Sequence, residues 1–152
     1  MIPASLLPLL LSSLVARTAF AQPDNPACSL LSPAEIKTLV GAAAKPLPVG
    51  ASGNSGTCMY QSGGVVATIL VAKQANAESA VALFTSKKKV AAAEDVTGWA
   101  TKAYAGAMGD SPIVGLTKGT TFVELKLIDP KGKLPELSKR AKTAMKALAA
   151  HM

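Results

Sequence analysis

Residues 113–128 read Ile-Val-Gly-Leu-Thr-Lys-Gly-Thr-Thr-Phe-Val-Glu-Leu-Lys-Leu-Ile. Val123, Leu125 and Leu127 alternate with Glu124 and Lys126. A period of two puts the apolar side chains on one side of an extended chain and the charged ones on the other. Residues 113–117 form a second β-prone run, and Lys118-Gly119 between the two suits a tight hairpin turn. Asp129-Pro130-Lys131-Gly132 then breaks the chain. The stretch predicts an antiparallel hairpin with one buried and one wet face, and that decides the fold class.

Beyond that break, residues 134–151 change period. Leu137, Ala141, Ala144, Met145 and Leu148 fall at helical spacing, with Lys139, Arg140, Lys142 and Lys146 on the other side. Upstream, residues 102–107 form a further strand candidate. Before them, residues 91–101 read as a loop carrying Glu94-Asp95 and Gly98-Trp99. Asn76 can cap a helix over 77–90, with Val81 and Phe84 turned inward. Lys87, Lys88 and Lys89 close that helix, where positive charge suits its dipole. Residues 57–61 and 65–72 flank Ser62-Gly63-Gly64 and read as another hairpin. Residues 42–56 mix Ala, Pro and Gly and read as a loop. Ser32-Pro33-Ala34-Glu35 is a helix start, with Ser32 as cap and Glu35 reaching back. Gly41 can stop that helix. The order predicts an α+β domain. Its antiparallel sheet has four to five strands, and an N-terminal, a middle and a C-terminal amphipathic helix pack on it.

Residues 4–16, ASLLPLLLSSLVA, are apolar but shorter than the ~20 residues a spanning helix needs. Ala19-Phe20-Ala21 follows with small residues at the positions a signal peptidase reads. Residues 1–21 therefore read as a secretory signal and residues 22–152 as one α+β domain, exported to a periplasm or the extracellular space. No transmembrane anchor is expected after cleavage. Cys28 follows a polar, proline-containing lead, so it is not read as a lipid acceptor. Cys28 and Cys58 are the only two cysteines. In an oxidising compartment two such cysteines usually pair, and they are too far apart in sequence for a Cys-x-x-Cys redox motif.

Cys28-Ser29-Leu30-Leu31-Ser32-Pro33-Ala34-Glu35-Ile36, followed by Thr57-Cys58-Met59-Tyr60, resembles the opening of small exported bacterial domains of unknown function. Many of those domains sit on lipoproteins. The resemblance implies an α+β sheet-and-helix domain with a disulfide. It brings no catalytic residue to any position of this chain.

Several chemistries lack their residues. The only His is His151, at the end of the last helix, so no Ser-His or Cys-His triad is expected. One His and two Cys make no four-ligand site, and Asp110, Glu124 and Asp129 form no calcium loop. Gly50, Gly53 and Gly56 lead toward a strand rather than a helix and lack a Gly-Lys-Ser/Thr ending, so no phosphate cradle is read there. No metal and no cofactor is called for.

The remaining signal is charge: 16 Lys and Arg against 9 Asp and Glu, a net +7. Lys87, Lys88, Lys89, Lys139, Arg140, Lys142 and Lys146 are the candidate contacts for an anionic surface. The aromatic residues are not interleaved with these runs, so no nucleic-acid platform is expected. Trp99, the single Trp, stands in a Gly-containing loop and is paired with Tyr104 as a candidate binding site. The expected function is that of an exported, non-catalytic domain binding a protein or small ligand. Two alternatives stay open. One is an enzyme using dispersed Asp and Glu, and the other is association of the lysine faces with an anionic surface.

Overall fold

A computed structural model describes residues 24–152. The predicted signal segment and its cleavage site lie outside these residues. The described residues form seven strands and three helices. In chain order they are α1 (Pro33–Val40), β1 (Leu47–Ser52), β2 (Ser55–Ser62), β3 (Val65–Lys73), α2 (Ala77–Val90), β4 (Glu94–Val96), β5 (Lys102–Met108), β6 (Ser111–Lys118), β7 (Thr121–Ile128) and α3 (Leu134–His151). One antiparallel sheet has the order β1-β2-β3-β7-β6-β5-β4. It consists of two meanders, β1–β3 and β4–β7, joined where β3 pairs with β7 along Val66↔Ile128 to Lys73↔Thr121. The expected α+β class and antiparallel sheet are present.

The strand count exceeds the expected four to five, and both extra strands are edges. β1 lies in the stretch predicted as loop. Its sequence Leu-Pro-Val-Gly-Ala-Ser carries a proline and a glycine, all six residues are exposed, and a register shift falls between Pro48 and Gly50. No burial alternation exists there to be read, and proline and bulges are features of edge strands. β4 is three residues long and begins Glu94-Asp95, poor strand formers that pair only with β5.

Period-two alternation sorts the sheet's two faces. Tyr60, Ile69, Leu125, Leu127, Val114 and Leu116 join Leu137, Ala141, Met145 and Leu148 of α3 and Leu39 of α1 in the larger core. Phe84 of α2 packs with Tyr104, Ile113 and Phe122 in a smaller core on the other face. The buried residues of α2 are Ala80 and Phe84, whereas Val81, predicted to point inward, is half-buried. The β7 face expected to be wet is also partly covered, because α2 lies on it and brings Lys87 to 3.9 Å from Glu124.

The helix ends follow from their own residues. Glu35 Oε2 accepts from the Ser32 backbone N–H at 2.6 Å, and the Glu35 N–H donates to the Ser32 hydroxyl. Gly41 ends α1 at φ 81°, in the left-handed region that glycine enters without steric cost. Asn76 caps α2 through the Ser79 N–H at 2.8 Å. At the C-terminal end of α3, His151 Nε2 lies 3.9 Å from Glu35 Oε1.

The N-terminal segment is tied to the sheet three ways. Cys28 and Cys58 form a disulfide. The Tyr60 hydroxyl donates to the Cys28 carbonyl at 2.9 Å. The Asn25 amide donates to the carbonyls of Gly50 and Thr57 at 3.0 and 2.8 Å, while its oxygen accepts from the Ala27 N–H.

Candidate functional site: a tryptophan and lysine groove on the last helix

Trp99 lies between β4 and β5, half-buried against the larger core. Its outer side lines a groove of about 500 Å³ whose other wall is α3. Pro135, Ser138, Lys139, Lys142, Thr143 and Lys146 complete the lining. The helix supplies them by periodicity. Residues 139, 142, 143 and 146 fall at i, i+3, i+4 and i+7, on one stripe of the helix surface. The opposite stripe, Leu137, Ala141, Ala144, Met145 and Leu148, is buried on the sheet. Lys139, Lys142 and Lys146 are exposed, and among the described residues none has a carboxylate within 4.0 Å. The Thr143 hydroxyl donates to the Lys139 carbonyl at 2.8 Å, which leaves the ammonium groups as the main unengaged polar groups of the groove.

The other candidate residues are placed elsewhere. Tyr104 does not line this groove. It is fully buried on the opposite face of the sheet, its ring 5.0 Å from that of Phe84. Its hydroxyl donates to Glu124 Oε2 at 2.5 Å. Burial, and then the Glu124 carboxylate, push its pKa well above the usual tyrosine range. Ala103 and Tyr104 point to opposite sides of β5, so Trp99 and Tyr104 form no common surface.

The lysine run at the end of α2 is divided. Lys88 Nζ pairs with Asp95 Oδ2 at 2.7 Å, and both line a depression between α2 and β4. Lys87 faces Glu124, and Lys89 is exposed. Arg140, predicted as an anion contact, is turned to another task. Its Nε donates to the Thr38 carbonyl at 3.2 Å and its Nη2 to the Leu39 carbonyl, in the last turn of α1. Those carbonyls have no partner within their own helix, so Arg140 of α3 caps α1. Its Nη1 donates to Asp129 Oδ2 at 3.3 Å.

The sequence showed a lysine-rich helix side and a lone Trp, but not that the two meet. Pro135, Ser138 and Thr143 carried no signal of their own. Their positions beside Lys139, Lys142 and Lys146 on the helical stripe were the available clue.

Asp129 titrates in a way that checks this arrangement. The Lys131 backbone N–H, followed by the Arg140 guanidinium, holds its carboxyl below the usual range against the opposing effect of partial burial. A depressed carboxylate pKa stabilises the fold above its unfolded value, and that stabilisation is lost as the pH falls through the folded value. Asp129→Asn is therefore expected to be less stable than wild type near neutrality. The gap should begin to narrow near pH 4, the ordinary carboxylate range, and close only below the depressed folded value. Urea melts at neutrality and at successively lower pH measure this, and a gap independent of pH would rule the account out.

Comparison with family models and with curated proteins finds no match to this chain.

Proposed function

We propose that the chain is an exported, non-catalytic binding domain whose Trp99 groove takes a ligand with an anionic group beside an apolar part. The observation carrying this reading is the meeting of Trp99 with three lysines that, among the described residues, have no carboxylate partner. The indole offers a large apolar area and a polar N–H. The ammonium groups attract negative charge, and their aliphatic stems extend the apolar wall. Three of the candidate carboxylates, by contrast, are engaged one at a time: Asp95 pairs with Lys88, Glu124 accepts from Tyr104, and Asp129 is held by Arg140. That supports binding over acid–base chemistry. The apolar leader at residues 4–16 and the disulfide support export.

Trp99 is the only tryptophan, so its emission reports on the groove directly. Dodecyl phosphate below its micelle concentration is expected to shift and quench that emission in a saturable way. Dodecyl maltoside, which is neutral, should not. Lys142→Gln should weaken the response about fivefold, the loss of one partly screened charge contact. An equal response to both amphiphiles, or none to either, would reject the reading.

A further inference from the structure

Resting on this reading of the groove, we propose that the Trp99 and α3 face docks on an anionic lipid surface. The ligand's anionic group is then a headgroup, and its apolar part is the headgroup–acyl boundary.

The chemistry of the charges points to a layer rather than a single molecule. Every cation of the groove is a lysine. Arginine recognises one phosphate or carboxylate through a rigid fork, whereas lysine acts as a mobile point charge on a flexible stem. The one arginine of the helix is held by the α1 carbonyls and Asp129. Besides the ammonium groups, the side-chain polar atoms of the groove are the two hydroxyls of Ser138 and Thr143 and the indole N–H. A small-molecule site fixes its ligand with a few precisely placed polar groups, whereas the charged groups here are ammoniums on exposed, flexible stems.

The distribution of charge fits as well. Lys139, Lys142 and Lys146 lie within about 10 Å along the helix axis, so all three can face one patch of a charged surface. The only acidic residue of α3 is Glu136, in the first turn. Lysines flanking a tryptophan are the side chains that suit a membrane–water interface. The indole rests at headgroup depth and the ammonium groups reach outward to phosphate. The platform is rigid, because the inner stripe of α3 is buried and its side is bonded to α1 through Arg140. Little ordering would oppose docking.

Cosedimentation of the protein with vesicles of phosphatidylglycerol and phosphatidylcholine tests the proposal, read together with Trp99 emission. Binding is expected to phosphatidylglycerol-containing vesicles, with a blue-shifted emission, and to weaken as salt screens the surface. Pure phosphatidylcholine vesicles should bind weakly or not at all. The triple variant K139Q/K142Q/K146Q, changed only at exposed positions, should keep the wild-type circular dichroism. It should lose about 100-fold in partition coefficient, roughly fivefold for each lysine. Unchanged vesicle binding in that variant would overturn the proposal. A Trp99 response to monomeric dodecyl phosphate without vesicle binding would also overturn it while leaving the groove reading standing. No response to either would overturn both.

Discussion

Replacing both Cys28 and Cys58 by alanine should lower the stability of the fold by about 3–4 kcal/mol, from the entropy the unfolded chain regains when a 30-position link is removed. For a domain of this size that corresponds to a melting temperature lower by roughly 10 °C or more. The loss should concentrate at the N-terminal segment. There the Tyr60 hydroxyl bond to Cys28 and the Asn25 bonds to Gly50 and Thr57 would have to hold the chain against β2 unaided. Hydrogen exchange should accordingly rise at Ala27 and Leu31 before it rises in β7, because the sheet centre does not depend on this link. Thermal melts of the variant, and of wild type with and without reductant, check the size of the effect. A variant within about 1 kcal/mol of wild type would mean that the unfolded chain is already restrained near these residues.

Gly115→Ala should be nearly as costly, at about 2–4 kcal/mol from forced overpacking and a disturbed buried hydrogen bond. Gly115 faces Tyr104 directly across the β5–β6 pair, and a Cβ there would enter the space of the Tyr104 ring and hydroxyl. The ring cannot step aside freely. Its hydroxyl is held by Glu124, and its ring sits between those of Phe84 and Phe122 at 5.0 and 6.5 Å. Gly115 is thus required for space, not for backbone conformation. A double-mutant cycle separates these explanations. In a Tyr104→Leu background, which lacks the outer ring atoms, adding Gly115→Ala should cost at least about 1 kcal/mol less than in wild type. Equal costs in both backgrounds would show that Tyr104 is not the obstacle. The substitution lies on the face away from the Trp99 groove, so emission responses of the folded protein should persist.

Both effects depend on pairings of different legibility. The disulfide could be expected because only two cysteines exist and an apolar leader precedes them. The Gly115–Tyr104 fit could not, because Gly115 in a strand run signals close approach without naming the neighbour. The same division runs through the candidate site. Lys139, Lys142 and Lys146 were legible as one stripe because helical spacing alone places them together. Arg140, adjacent in sequence and identical in charge, cannot be told from them by spacing. Its different task depends on Thr38 and Leu39, about a hundred residues away in the chain. Tyr104 follows Trp99 closely in sequence, yet strand alternation sends it to the other face.

By itself, the sequence determined what is set within a few residues. Ser32 and Glu35 close the start of α1, Gly41 ends it, and Asn76 opens α2. The alternation of Val123, Leu125 and Leu127 makes β7 a strand with an inner face. These follow from local hydrogen bonds and from the fixed periods of helix and strand. Tertiary structure decided which strands become edges, and so how β1 and β4 are recruited without any apolar pattern of their own. It also decided which charges are neutralised, as at Lys88 and Arg140, and which have no carboxylate partner among the described residues, as at Lys139, Lys142 and Lys146. The reason is physical: a charge finds its partner by distance in space, and only the packing of α2 and α3 on the sheet sets those distances.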